Sequence, residues 1–542
     1  MKPALSALAL LALLPSSSAQ SNAVPGIDTR LSRLADITSL GHVGVFPDGI
    51  NGASMATTVC NDGTLEVAWH AAMNPAHPKI AFLVARLGPE RLEQISDRSY
   101  VKHGFFAANT VGCGVQCQQP TGGMIGEALG IGCSDTYAID NNGDQFWLAP
   151  PDEIDPWLGT WDPVCSHFDR GEPDVGAPAN CNGLRSLSRP QVSALGPVGH
   201  RIRIHDEDLI LGGRFFFQGQ YVVEGEPENV RENNLGSREF TASWDGSRWD
   251  LDVTMDGVIH GSVLERWSGA ELASAVNGGE DGRVYAAVKI TGPVDGFYHY
   301  EYALHDRDNA RGVGALRIPL CSGARVRATG FHDVDGDPSS DWDVAVGANE
   351  IVFSTDHAPL RWNTLFNFWF DSDAAPAAAL LALDAFDAGQ GASALTVQLS
   401  APVALANVYL GAGCAQDTPP TLFATGTPAR AELGNATFAL VSAGNEAFQA
   451  HVLRLSLASG PVSIHGCTSW IGGAGVRGSL VVSDGAGVAT HPVPIPSDPA
   501  LEGVDARFQA VGHAPGSGIL FGAFELSDAL LVRIGSSIPS CP

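Results

Sequence analysis

The side chains best suited to chemistry lie in one acidic stretch, which runs from Gly330 to Gly347. Its possible ligands share an alternate spacing, at positions 1, 3, 5, 7 and 9 of a loop: Asp333, Asp335, Asp337, Ser339 and Asp341. Alternate oxygen donors of this kind fold around Ca²⁺, with the residue at position 7 offering its main-chain carbonyl. The spacing therefore predicts a calcium site. The alternative is an acidic surface turn whose Asp side chains cap the backbone in Asx turns.

This stretch resembles the calcium loop of FG-GAP repeats. The likeness rests on the run Asp333-Val-Asp-Gly-Asp337, on Asp341, and on the short apolar strand Val344-Ala-Val346 that follows. It covers about fifteen residues, occurs once, and departs from the family where Pro338 replaces a small glycine. The resemblance implies calcium binding by this loop. It does not imply a propeller, because the sequence has no internal repeat of fixed period.

A second candidate site lies on the segment Phe297 to His305. Strand alternation places His299 and Glu301 on one face and three tyrosines on the other. Two such side chains on one strand can chelate a transition metal if a third ligand joins them. His332, His103 and His77 are open candidates for that ligand. A polar strand face without metal is the alternative.

Familiar catalytic patterns are absent from the sequence. It contains no Gly-x-Ser-x-Gly elbow, no His-Glu-x-x-His helix and no phosphate loop. No catalytic residue or organic cofactor is therefore assigned. Two functions stay open: a calcium-stabilised binding or structural protein, and a metal-dependent enzyme that uses His299 and Glu301 on an extracellular polymer.

The periodicity around these sites is that of strands. Short runs rich in β-branched and aromatic residues, such as 212–223, 283–290 and 452–457, end at Gly, Pro, Asn or Asp. This pattern predicts an all-β chain of two sandwich-like domains, with antiparallel sheets and few short helices.

Composition changes near residues 371–379, where an aromatic-rich stretch gives way to Ala, Gly, Val and Leu. We therefore expect an N-terminal β-rich domain over 22–372, with room for two subdomains, and a C-terminal sandwich over 388–542. Residues 373–387 are predicted to be a linker, with a short Ala/Leu helix over 375–386.

The first nineteen residues have the order of a secretory signal peptide: Lys2, an apolar run from Leu5 to Leu14, then small residues up to Ala19. That apolar run is too short for a resident transmembrane helix, and no later segment is long enough without charges. All ten cysteines follow this leader, which predicts disulfides. Only Cys414 with Cys467 can be paired from the sequence, because these two are isolated in the C-terminal part.

The acidic balance restricts the possible partners. With 59 acidic and 31 basic residues, the chain carries a formal charge of −28 and should repel nucleic acids and anionic membrane surfaces. An extracellular polymer or the cell surface is the expected partner, and the expected location is outside the cell.

Two further regions resemble exported proteins. The segments 102–107, 129–137, 298–302 and 360–368 resemble a family of uncharacterised secreted proteins from environmental bacteria. The ending, 493–535, resembles a C-terminal β-sandwich module that many such proteins carry. The resemblance implies secretion and a sandwich fold, and it implies no activity.

Overall fold

The computed structural model describes residues 20–71, 73–171, 181–276, 281–405, 407–416, 418–427, 429–457, 460–472, 476–516 and 518–535. The predicted leader, residues 1–19, lies outside the described residues. The all-β prediction is confirmed, since strands dominate the described chain and every β-pairing is antiparallel. Within the described ranges, no helix has the length and apolar character needed to cross a bilayer.

The first part of the chain contains sixteen strands: β1 Thr29–Val43, β2 Ile50–Asn61, β3 Val67–Ala68, β4 Lys79–Leu87, β5 Leu92–Gln94, β6 Val101–His103, β7 Ala128–Leu129, β8 Ser134–Tyr137, β9 Leu148–Ala149, β10 Ile154–Asp155, β11 Thr160–Trp161, β12 Ile202–His205, β13 Arg214–Val222, β14 Leu235–Trp244, β15 Trp249–Val253 and β16 Ile259–His260. Twelve of them form sheet A, in the order β1-β2-β12 with β8 beside β2, and sheet B, in the order β15-β14-β13-β4-β6-β9 with β5 and β16 attached. The other four form the two-stranded sheets β3-β7 and β10-β11.

Ten strands follow: β17 Glu271–Val276, β18 Arg283–Val294, β19 Phe297–Asp306, β20 Val313–Pro319, β21 Val326–His332, β22 Asp343–Val346, β23 Glu350–Ser354, β24 Leu365–Ser372, β25 Ala375–Ala385 and β26 Ala394–Ala404. Sheet C has the order β17-β18-β19-β24-β21, and sheet D the order β22-β23-β20-β25-β26.

The last strands are β27 Asn407–Gly411, β28 Thr421–Thr425, β29 Ala439–Ala443, β30 Ala450–Ser456, β31 Val462–Ile464, β32 Cys467–Ser469, β33 Val476–Val482, β34 Ala489–Pro492, β35 Asp505–His513 and β36 Phe524–Arg533. Sheet E, β27-β36-β35-β30-β33, packs on sheet F, β28-β29-β34, through Leu440, Phe508 and Leu530.

The helices are short. The α-helices are α1 Ile139–Asn142, α2 His167–Arg170, α3 Arg189–Ala194 and α4 Asp206–Ile210. The 3₁₀ helices are Gln145–Trp147, Pro151–Glu153, Glu228–Asn234, Val263–Arg266 and Pro499–Leu501.

Sheets A to D form a stack of four layers. Side chains on β13 alternate between two cores. Phe215 and Phe217 enter the core shared with sheet A, whereas Phe216 enters the core shared with sheet C. Sheet C repeats this arrangement: Tyr285 packs towards sheet B, whereas Tyr300 packs towards sheet D. The central strands of sheets B and C, such as β4, β13 and β19, are therefore buried on both faces.

The structure corrects the predicted linker and helix at residues 373–387. Residues 375–385 are strand β25, which pairs with β20 and β26 in the interior of sheet D. Leu381 and Leu383 point into the core, while Leu380 is 65% exposed. This alternation and two-sided pairing outweigh the helix preference of alanine and leucine, so the helix prediction is wrong. Sheet D ends with β26, and the E/F sandwich begins at β27.

Disulfides join the cysteines of each part. The described bridges are Cys60–Cys113, Cys117–Cys133, Cys165–Cys181 and Cys414–Cys467. The last is the pair that the sequence singles out, and its Cα atoms lie 5.6 Å apart, within the ordinary disulfide range.

Candidate functional site

The acidic loop 333–341 connects the end of β21 in sheet C to the start of β22 in sheet D. Asp333 is buried, whereas Asp335, Asp337 and Asp341 are exposed. The loop therefore has one carboxylate against the protein and three in water. It lies at the rim of the stack, where a hairpin-like turn leaves one sheet and enters the next.

Consecutive side chains in this loop cap the backbone. Asp333 accepts a hydrogen bond from the N–H of Asp335 at 3.1 Å, and Asp335 accepts from the N–H of Asp337 at 2.8 Å. Asp337 continues the series by accepting from the N–H of Ser339 at 2.9 Å. These are the Asx turns of the alternative interpretation.

The hydroxyl of Ser340 stands where oxygens of the loop converge. Its Oγ lies 3.2 Å from Asp333 Oδ2, 3.0 Å from Asp335 Oδ1 and 2.7 Å from the carbonyl oxygen of Asp337. A hydroxyl has one hydrogen and can donate it to only one of these acceptors. Ser340 therefore donates to one of the three oxygens, and the carboxylates of the loop are not grouped so as to hold a metal ion in the described structure.

Neighbouring negative charges also act on the carboxyl of Asp333. Burial raises the pKa of its carboxyl to about 6, and the negative charges of Asp335 and Asp341 contribute to the rise. Because the charged form is disfavoured in a crowded acidic setting, a cation bound here would lower that pKa.

The structure places Ser339 differently from the sequence prediction. Its carbonyl oxygen accepts a hydrogen bond from Nε2 of His357 at 2.8 Å. Ser340, which the sequence argument did not include, occupies the centre of the loop instead. The signal for Ser340 is weak in the sequence, because a serine hydroxyl has no fixed position in the alternate-ligand spacing.

His299 and Glu301 lie on one face of β19, as strand alternation predicts, and they belong to an ion-pair network. Nδ1 of His299 is 2.9 Å from Asp371, and its Nε2 is 3.4 Å from Glu301. The hydrogen bond with Glu301, assisted by that with Asp371, raises the pKa of His299 to about 9. His299 is therefore protonated at neutral pH, and an imidazolium has no lone pair to offer a metal.

Glu301 is held by an arginine from sheet B. Both of its oxygens accept hydrogen bonds from Arg91, whose guanidinium also stacks 3.8 Å above the ring of Trp369. Within the described residues, no three His, Cys, Asp or Glu side chains are grouped so as to hold a metal ion.

The three histidines considered as a third ligand for His299 and Glu301 have other partners. His332 is 3.8 Å from Glu93. His77 and His103 are buried against one another, with 2.7 Å between their ring nitrogens.

A cleft between sheet C and the two 3₁₀ helices next to strands of sheet B, Glu228–Asn234 and Val263–Arg266, brings together residues that the sequence analysis missed. We call it the inter-sheet cleft; its volume is about 530 Å³, and its lining is Glu228, Asn229, Glu232, Glu265, Leu272, Ala273, Ser274, Arg283, Tyr285 and Arg307. Those residues come from two 3₁₀ helices, β17, β18 and the end of β19. No short motif could reveal them, since they are spread over 80 positions of the chain.

Comparison with known proteins assigns the chain to no family. No family model and no curated protein matches the chain, so the resemblances to FG-GAP loops and to exported bacterial families stay predictions. Among solved structures, the major pilin subunit BcpA of Bacillus cereus is similar at 11% identity, over 58% of this chain and 76% of the pilin. The TM-score is 0.17, which is too low to assign a shared fold or function.

Proposed function

We propose that this chain is an extracellular or surface-associated binding or structural protein whose 333–341 loop binds Ca²⁺. The observation that carries the proposal is the set of described disulfides, which tie loops in the four-layer stack and in the E/F sandwich. Disulfides persist in oxidising compartments outside the cytosol. A stack with two sheets buried on both faces suits a rigid scaffold.

The calcium part of the proposal rests on the sequence, which places Asp333, Asp335, Asp337 and Asp341 at positions 1, 3, 5 and 9 of one loop. In the structure, the described His, Cys, Asp and Glu side chains form no group of three that could hold a metal ion. Hard oxygen donors in this number suit Ca²⁺ rather than a transition metal. A bound ion would fix the connection between sheets C and D.

Export is tested by producing the full chain with its own leader in a bacterial host and fractionating the cells. We expect the protein outside the cytosol, with the leader removed and no free thiol by mass spectrometry. Recovery of a cytosolic protein with an intact leader and free thiols would overturn the proposal.

Calcium is tested separately by isothermal titration of metal-free protein. One Ca²⁺ per chain is expected, together with a rise in melting temperature, since a ligand bound only by the folded state stabilises it. Elemental analysis showing stoichiometric zinc, copper or iron instead would favour the metal-dependent enzyme.

A further inference from the structure

Four ring side chains form a cluster at the margin of sheets A and B. His42 and Phe46 come from the end of β1 and the loop that follows it, whereas Trp244 and Trp249 pair across the β14–β15 hairpin. We call these four residues the aromatic rim. Phe46 stacks on Trp244 with 4.6 Å between ring centroids and 13° between the ring planes, and His42 lies 5.1 Å from the same indole. Trp244 is therefore the common neighbour of a phenyl ring and an imidazole.

The aromatic rim is open to solvent on one side. Trp249 is buried and belongs to the core between sheets A and B, whereas Trp244 is half-buried and Phe46 is 37% exposed. Val45, which precedes Phe46, is 81% exposed. Part of the phenyl ring is thus available as an apolar surface, and contacts with the two indoles hold that ring in place.

A buried carboxylate fixes the imidazole of His42. Nε2 of His42 lies 3.0 Å and 2.9 Å from the two oxygens of Asp206, whose side chain has no exposed surface. Asp206 also accepts hydrogen bonds from Nε1 of Trp249 at 2.8 Å and from the N–H of Gly49 at 3.0 Å. Because a carboxylate only accepts, the proton of the neutral imidazole is held on Nε2, and the lone pair lies on Nδ1.

Nδ1 of His42 is accessible to a partner from outside the protein. It makes no hydrogen bond to the described residues and is not one of their buried atoms without a partner, so it reaches solvent. The aromatic rim therefore offers one fixed hydrogen-bond acceptor beside an exposed phenyl ring. These two features together match a sugar, whose hydroxyl groups donate hydrogen bonds and whose C–H groups contact the negative face of an aromatic ring.

We propose that the aromatic rim binds a pyranose ring of a neutral extracellular polysaccharide, an inference that rests on the extracellular binding function proposed above and names a partner class for it. A hydroxyl group of the sugar donates to Nδ1 of His42, and the C–H face of the sugar lies on Phe46. Sugars with equatorial hydroxyl groups fit best, because their axial C–H groups form a flat apolar face. The net charge of −28 disfavours an anionic polymer, since like charges repel.

Isothermal titration of the full chain with oligosaccharides tests the proposal. The neutral probes are cellohexaose, xylohexaose and chitohexaose, whose ring substituents are equatorial. The anionic comparison is the hexamer of glucuronic acid with the same linkage as cellohexaose. We expect saturable binding of at least one neutral probe, with the anionic hexamer at least about tenfold weaker. Absence of saturable binding by all three neutral probes overturns the proposal, and so does tighter binding of the anionic hexamer.

Two substitutions of exposed phenylalanines locate the site. Phe46→Ala removes the ring of the aromatic rim, and Phe448→Ala is the control, because Phe448 is 72% exposed and lies between β29 and β30 of the E/F sandwich. We expect Phe46→Ala to weaken binding at least about fivefold and Phe448→Ala to leave the dissociation constant unchanged. Phe46→Leu, which keeps an apolar side chain without a ring, replaces Phe46→Ala if that variant has a lower melting temperature. Equal dissociation constants for the variants at the two positions overturn the proposal.

His42→Gln tests the hydrogen-bond acceptor. The amide can still donate to Asp206, but it has no acceptor at the position of Nδ1. We expect about fivefold weaker binding at an unchanged melting temperature, because one hydrogen bond to the sugar is lost. A folded His42→Gln variant that binds as tightly as the parent chain overturns the proposal. The outcomes of the export and calcium experiments do not depend on any of these results.

Discussion

Arg91 donates two parallel hydrogen bonds to Glu301, from Nε to Oε1 at 2.6 Å and from Nη2 to Oε2 at 2.9 Å. The carboxylate belongs to sheet C and is 2% exposed, while the arginine belongs to the edge of sheet B. A bidentate pair of this kind fixes the lateral position of one sheet against the other.

Breaking this pair should destabilise the four-layer stack. We expect Glu301→Gln to lower the free energy of unfolding by about 2 kcal/mol, because the buried carboxylate gives up two charge-assisted hydrogen bonds from Arg91, which is itself 24% exposed. Urea unfolding followed by tryptophan fluorescence measures this, since all tryptophans except Trp470 precede the E/F sandwich. Glu239→Gln is the control. Its partner Arg214 is 52% exposed, so the loss should stay below about 1 kcal/mol. Equal losses would contradict the prediction.

The His299 network should make stability depend on pH. Its folded pKa of about 9 lies above the ordinary 6.5, so its contribution is complete below pH 6.5 and disappears as the pH rises through 9. We expect His299→Gln to destabilise the protein more at pH 6 than at pH 10. Denaturation of both proteins at the two pH values measures the difference, and a loss independent of pH would refute the assignment.

Removing the bridge between Cys414 and Cys467 should affect only the E/F sandwich. Replacing both cysteines with serine is expected to cost about 4 kcal/mol, the loop-closure term for a loop of this size. The matched control replaces Cys60 and Cys113, whose sequence separation is also 53 and which lie in the stack. Calorimetry should show a different transition shifting in each variant. A shift of the same transition in both would show that the two parts unfold as one unit.

The calcium loop gives a prediction with an internal control. We expect Asp335→Ala to lower the melting temperature more in calcium than in excess chelator, because in calcium the variant loses an ion ligand in addition to its turn hydrogen bonds. Asp245 makes a comparable turn by accepting the N–H groups of Ser247 and Arg248. Asp245→Ala should therefore act equally in both solutions. If calcium and chelator gave the same change in melting temperature for both variants, the 333–341 loop would be a turn capped by its own Asp side chains, without a bound ion.

Local patterns predicted part of this structure. The period-two alternation of β19 correctly separated His299 and Glu301 from Tyr300 and Tyr302, because side chains of a strand alternate between its faces. The Ala/Leu segment that became β25 was ambiguous, since its strand state depends on partners distant in sequence.

The layering and the cleft could not be read from local patterns. On β4, seven consecutive residues from Lys79 to Ala85 are buried, so the alternation that marks a one-sided sheet is absent. Glu232, Tyr285 and Arg307 meet only because the 3₁₀ helix Glu228–Asn234 packs against β18 and the end of β19. Contacts of this kind depend on tertiary structure, and no spacing rule encodes them.

Double coverage of sheets B and C has a consequence for recognition. Neither sheet offers a broad face to another molecule, so any partner of this part of the protein has to engage its margins, where loops and strand ends reach solvent. The acidic turn between β21 and β22 and the inter-sheet cleft both lie there. Sequence change at these margins could therefore alter what is bound while the buried interior keeps its shape.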